Sequence, residues 1–143
     1  MKKIKIVNVY DKLSDSKLTK MDANGKFKIV KIILELDKVN SEYKKLVEET
    51  VKRLKPAWLE GEKAIEWDKN NINSEILTQE EKTEIINYIN SVNQLLSDEL
   101  NKEITLESSK LTEEEWKQFI ESNDFTPREL INFSEILYET DKE

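Results

Sequence analysis

The sequence predicts a mainly α fold, on three observations. Apolar residues recur at three- and four-residue spacing over two long stretches, about 26–55 and 79–101. Three Thr-x-x-Glu capping boxes announce helix starts, at Thr78-Gln-Glu-Glu81, Thr112-Glu-Glu-Glu115 and Thr126-Pro-Arg-Glu129. Strand-like alternation is confined to two five-residue stretches, KIKIV at 3–7 and EITLE at 103–107.

Taken in chain order, KIKIV alternates Lys and Ile before Val7 and reads as a short strand. Asn8 is placed to cap a short helix through VYDKLSDSKL, with Val9, Tyr10, Leu13 and Leu18 inward. Asn24-Gly25 reads as a turn. The first long helix, about 26–55, carries the stripe Ile29, Ile33, Leu36, Tyr43, Val47, Val51 and Leu54. Pro56 ends it, because the residue before a proline avoids the helical region. Lys52, Arg53 and Lys55 bring positive charge to its C-terminus, where the helix dipole favours it.

A connector, 56–77, precedes the second long helix, whose stripe is Ile85, Ile89, Val92, Leu96 and Leu100, widened by Ile86, Tyr88 and Leu95. Two long amphipathic helices joined in this way suggest an antiparallel pair. EITLE reads as a second strand, and its glutamates suit pairing with the lysines of KIKIV in a two-stranded β element. Two shorter helices close the chain. The first, about 112–122, faces Trp116, Phe119 and Ile120 inward. The second, about 127–139, has Pro127 at its first position. It turns Leu130, Phe133 and Leu137 inward, beside Ile131, Ile136 and Tyr138.

A chain of 143 residues suits a single domain able to bury about two-thirds of its unfolded surface. It contains no cysteine and no histidine. Disulfides, thiolate metal sites and Ser/His or Cys/His catalysis are thereby excluded, and an enzyme would have to work with carboxylates. No apolar run is long enough to span a membrane, and the lysine-rich start lacks a signal-peptide core, so an intracellular location is expected.

Charged residues make up 37%, against a usual quarter. The net charge of −7 divides unevenly. Residues 1–55 hold 15 Lys+Arg and 8 Asp+Glu, whereas residues 56–143 hold 8 and 22. Opposite halves should attract, although each exposed pair is worth only about 0–1 kcal/mol. The surplus acid is also a candidate partner surface.

The connector holds Trp58 and Trp67. One account places them in a satellite core with Leu59 and Ile65. Another makes them contact residues at a hairpin tip, since tryptophan is enriched in binding hot spots. A third lets them stack on a nucleic-acid base. Asp68, Asn70 and Asn71 invite a calcium reading, but a loop counted from Asp68 puts Asn73 and Gln79 where glycine and glutamate are needed. Glu113, Glu114 and Glu115 form an acidic cluster. Three consecutive residues fan around a helix instead of converging, so N-terminal helix charge accounts for them better than acid–base or metal chemistry. Glycine-rich phosphate loops are missing, and no cofactor or metal is expected. The basic first half contains arginine only at Arg53 and the whole chain is acidic, which argues against direct nucleic-acid binding. An acidic surface mimicking phosphate could instead occupy a nucleic-acid channel on another protein.

The order of features resembles a family of small uncharacterised proteins from tailed phages and prophages of low-GC gut bacteria. The likeness rests on Ile6, Asn8, Tyr10 and Leu13 in KIKIVNVYDKL, on the Lys-Ile repeat at 28–33, and on Thr126, Pro127, Glu129 and Leu130 in FTPRELINFSEILYE. It departs at the connector, which is tryptophan-rich here and glycine-containing in the family. The resemblance implies a viral context and a helical fold, and brings no catalytic residues.

Together these readings predict a non-enzymatic, phage-encoded factor acting in the bacterial cytoplasm. It would inhibit a host defence protein through an acidic and aromatic surface: Trp58, Trp67, Glu113, Glu114 and Glu115. The alternative is a virion-assembly accessory that oligomerises through its helices. A carboxylate-dependent enzyme is the third expectation.

Overall fold

A computed structural model describes residues 1–61 and 76–138. Among these the architecture is mainly α, with five helices: α1 (Lys3–Ser14), α2 (Ala23–Leu54), α3 (Gln79–Leu100), α4 (Glu113–Ser122) and α5 (Pro127–Leu137). The chain forms two compact units. One comprises Met1–Tyr43 with Leu100–Glu143, the other Lys44–Glu99.

The first unit is built from α1, the N-terminal part of α2, α4 and α5. Its core joins Ile6, Val9 and Leu13 of α1 to Ile29, Ile32 and Leu36 of α2, and to Phe119, Phe133, Ile136 and Leu137 of the closing helices. KIKIV is the start of α1, not a strand, and Asn8 lies inside that helix instead of capping it. The reason is periodicity. Ile6, Val9 and Leu13 follow i, i+3, i+7, which buries three side chains on one face, whereas the two-residue alternation lasts only five residues. The expected β element shrinks to one antiparallel bridge, Lys2 to Glu103. The segments do meet as the sequence suggested. Met1 N donates to Ile104 O at 3.0 Å, Ile104 N to Met1 O at 2.7 Å, and Lys3 N to Lys102 O at 2.9 Å.

Asn24 and Gly25 belong to the first turn of α2. Gly25 sits in a close approach. A Cβ at this position would lie 2.8 Å from Met21 Cε and 3.4 Å from Glu115 Cγ. The inward face of α2 differs by one position from the expected stripe, burying Ile32 fully and Ile33 only in part. The loop before α2 is tied down by side chains of α4 and of Asn123, which caps its C-terminus. The Asn123 amide accepts from Lys17 N at 2.7 Å and donates to Lys17 O at 2.8 Å, and Ser122 Oγ accepts from Lys20 N at 2.8 Å. Gln118 accepts from Asp22 N at 3.2 Å and donates to its carboxylate at 3.0 Å. These bonds satisfy loop backbone that would otherwise be left unpaired.

Both predicted C-terminal capping boxes form. Thr112 Oγ1 accepts from Glu115 N at 3.2 Å while Glu115 Oε1 accepts from Thr112 N at 2.9 Å. Thr126 and Glu129 repeat the arrangement at 3.2 and 3.0 Å. An aromatic series runs through this end of the unit. Trp116 stacks on Tyr138 with centroids 5.9 Å apart, and Phe125 meets Phe133 edge-on at 4.8 Å. Ile131, expected beside the inward residues, is 62% exposed.

The second unit contains the rest of α2 and nearly all of α3. The Tyr88 hydroxyl donates to Val51 O at 3.3 Å and the Trp58 indole N–H to Glu84 Oε2 at 2.5 Å. Partners descend along α3 as the chain ascends from 51 to 58, so within this unit the two helices run antiparallel. The third capping box, Thr78 with Glu81, opens α3 at 3.1 and 2.9 Å. A satellite core of Leu59, Leu77 and Ile85 has Trp58 and Ile89 packed against it. Val51, Ile86 and Leu95 were expected on apolar faces but are exposed.

Candidate functional site

The sequence candidates occupy different environments. Trp58 is half-buried against Leu59, Leu77 and Ile85 with its indole bonded to Glu84, which is the packing account of this residue. Leu59 joins it as expected. Ile65 and Trp67, and the rejected calcium ligands Asp68, Asn70 and Asn71, lie outside the described residues.

The three consecutive glutamates separate. Glu113 and Glu114 are exposed in the first turn of α4, where the helix dipole favours negative charge; Glu113 also pairs with Lys117 at 3.4 Å. Glu115 points inward. Its side chain is only 12% exposed, and its carboxylate meets Lys28 Nζ at 2.6 Å while closing the capping box. It therefore leaves the surface set. Partial burial pushes the Glu115 carboxyl upward, but the Lys28 ammonium and the Thr112 N–H and hydroxyl outweigh it, holding the group below its ordinary value.

Glu35 has a similar internal role. Its carboxylate accepts from Glu107 N at 2.9 Å, from Ser108 N at 2.6 Å and from the Ser108 hydroxyl. Burial again acts upward, and these three donors with nearby Lys31 bring the net shift downward. Asp37 accepts from the Tyr10 hydroxyl at 2.5 Å, a bond that raises the tyrosine. Both carboxylates flanking the middle of α2 are thus turned to neighbouring segments.

What they flank was not anticipated from the stripe pattern. Phe27, Val30 and Leu34 are 64%, 48% and 63% exposed. They stand at i, i+3, i+7, on the side of α2 opposite Ile29, Ile32 and Leu36. Lys31 Nζ lies 5.2 Å from the Phe27 ring centroid, a cation–π contact that leaves the ring edge open to solvent. A shallow hollow beside Leu34 is bounded by Lys31, Glu35, Glu107 and Ser108. The signal was present in the sequence: KFKIVKIILEL is apolar on more of its circumference than one core requires.

Among the described residues no group of three or more acidic side chains converges as a metal site would require. None of their helices is long and apolar enough to cross a membrane. No protein-family model, curated protein or solved structure matches the chain.

Proposed function

We propose that this protein is a non-enzymatic protein-binding factor whose contact surface includes the outward face of α2. The observation that carries the reading is the exposure of Phe27, Val30 and Leu34 together on one face. Single exposed apolar residues are ordinary, but three in register on a helix whose opposite face is already buried are a surface shaped for a partner. A chain without histidine or cysteine has few means of chemistry, which agrees with binding as its task.

The finer reading is a phage-encoded inhibitor of a host defence protein in the bacterial cytoplasm. It draws on the resemblance to tailed-phage proteins and on the acid surplus of residues 56–143. Glu113 and Glu114 supply acidic contacts, and Trp67 stays a candidate on the sequence pattern alone. The competing reading, a virion-assembly accessory, is favoured by the same α2 face if a second copy covers it.

The test is affinity capture from a bacterial lysate with the wild-type chain, with Phe27→Asp/Leu34→Asp, and with Glu113→Lys/Glu114→Lys. A specific protein held by the wild type and lost with the α2 variant is the expected result. Identical capture by the wild type and the α2 variant would refute the reading. Salt separates the finer alternatives. Binding through acid weakens steeply as salt rises, whereas assembly through apolar surface does not.

A further inference from the structure

We propose that Asn24-Gly25 is a self-modification site: the folded chain converts Asn24 into aspartate and isoaspartate, and the isoaspartate form loosens the seating of α2 on α4. Of the two glycines in the chain, only Gly25 follows an asparagine, so there no side chain hinders approach to the next backbone nitrogen. Asn24 is exposed, and among the described residues its amide is held by no hydrogen bond. The reaction is intramolecular. Gly25 N attacks Asn24 Cγ, and the new C–N bond closes a succinimide ring as the Cγ–Nδ2 bond breaks. The proton given up by Gly25 N ends, by way of solvent, on the departing ammonia. Water then adds to one of the two imide carbonyls. One opening restores the ordinary peptide as aspartate, and the other routes the backbone through the side chain as isoaspartate.

The place of this pair in α2 leaves the nitrogen available. The first N–H groups of a helix have no intrahelical acceptor. The Lys26 N–H is taken by Asp22 O at 3.0 Å, whereas among the described residues no hydrogen bond holds the Gly25 N–H. Asn24 must also leave its helical backbone angles, and fraying of a first turn allows this without unfolding the rest. Other described asparagines are better protected. Those inside the helices precede an N–H that bonds back four residues. Asn123 is fixed by Lys17 N at 2.7 Å and Lys17 O at 2.8 Å, and Asn101 precedes the long side chain of Lys102. The two products differ in effect. Aspartate keeps the backbone and puts a negative charge in the first turn of α2, which holds no acid and where the helix dipole favours one. Isoaspartate adds a methylene to the main chain directly before Gly25. There is no slack at that point, since a Cβ on Gly25 would lie 2.8 Å from Met21 Cε and 3.4 Å from Glu115 Cγ.

Incubation of the full folded chain at mildly alkaline pH, followed by peptide mapping in a mass spectrometer, tests the site. The peptide holding Asn24 should gain one mass unit more than about tenfold faster than any peptide whose asparagines lie inside a helix. Gly25→Ala should slow the gain by about tenfold or more, and Asn24→Gln should remove it. An isoaspartyl methyltransferase with a labelled methyl donor should mark the aged wild type and leave aged Asn24→Gln unmarked at this peptide. Thermal melting of the chromatographically separated isoaspartate form should fall below that of the fresh chain, whereas Asn24→Asp should melt level with it or above. Conversion of Asn24 no faster than that of the helical asparagines, or only in chain unfolded by urea, overturns the site. So does an unchanged rate in Gly25→Ala. An isoaspartate form that melts with the fresh chain overturns the loosening of α2 on α4.

Discussion

Glu115 and Gly25 meet where α2 faces α4. The glutamate closes a capping box and pairs with Lys28 at 2.6 Å, and the glycine leaves room for it. Glu115→Gln keeps the shape but removes the charge, and should cost about 1–2 kcal/mol, as for a lost charge-assisted hydrogen bond. Urea denaturation measures this. Gly25→Val should cost about 1–3 kcal/mol by pressing on Met21 and Glu115. Gly25→Ala should be close to neutral, because the Met21 methyl it meets is the end of a flexible side chain and alanine favours the helix. The sequence pointed to a turn at Asn24-Gly25, and the capping box was legible there too. Glu115 facing Lys28 was not, since that pairing joins residues 87 apart and depends on the packing of two helices.

At the scale of elements, the helix boundaries follow local chemistry. Thr126→Ala should cost about 1 kcal/mol by removing the cap of α5, read by thermal melting. Trp58→Ala tests whether this tryptophan is core or contact. Its half-buried ring and its bond to Glu84 predict a loss of about 2 kcal/mol, below the range for a fully buried tryptophan. Hydrogen exchange should place the weakened protection in α3 and the end of α2. Unchanged stability would return Trp58 to the contact set. The long helices and the two closing ones were readable because their stripes extend over several turns. KIKIV was misread because five residues satisfy both a period of two and a period of 3.6, and the extra turns that decide between them lie further on, at Val9 and Leu13.

At the scale of the whole molecule, charge has a structural task. Lys5 meets Glu135 at 2.5 Å, Lys12 meets Glu129 at 3.4 Å and Lys28 meets Glu115, so three lysines of the basic start pair with acids of the C-terminal helices within the first unit. This sets the response to acid. Glu35, Glu115 and Glu129 are held below their ordinary values in the folded chain, Glu129 chiefly by the Thr126 N–H. For a carboxylate with a lowered folded pKa, the stabilisation is present above the unfolded value and lost as pH falls through the folded one. Stability should therefore hold down to about pH 5 and decline below about pH 4. Denaturation midpoints across this range check it, and Glu115→Gln should shallow the decline. A protein whose stability rises on acidification would contradict these pairings.

By itself the sequence determined the class of fold, the capped starts of the last three helices, the opposition of charge between the two halves and the exclusion of thiol and imidazole chemistry. Those properties depend on neighbours within a few residues or on composition, so they can be read along a line. Tertiary structure alone decided that Glu115 turns inward while Glu113 and Glu114 stay out, that Trp58 joins Leu77 and Ile85, and that Phe27, Val30 and Leu34 are left uncovered on α2. Whether a side chain is surface or core depends on which distant segment arrives to cover it, and an apolar letter is the same letter in either case.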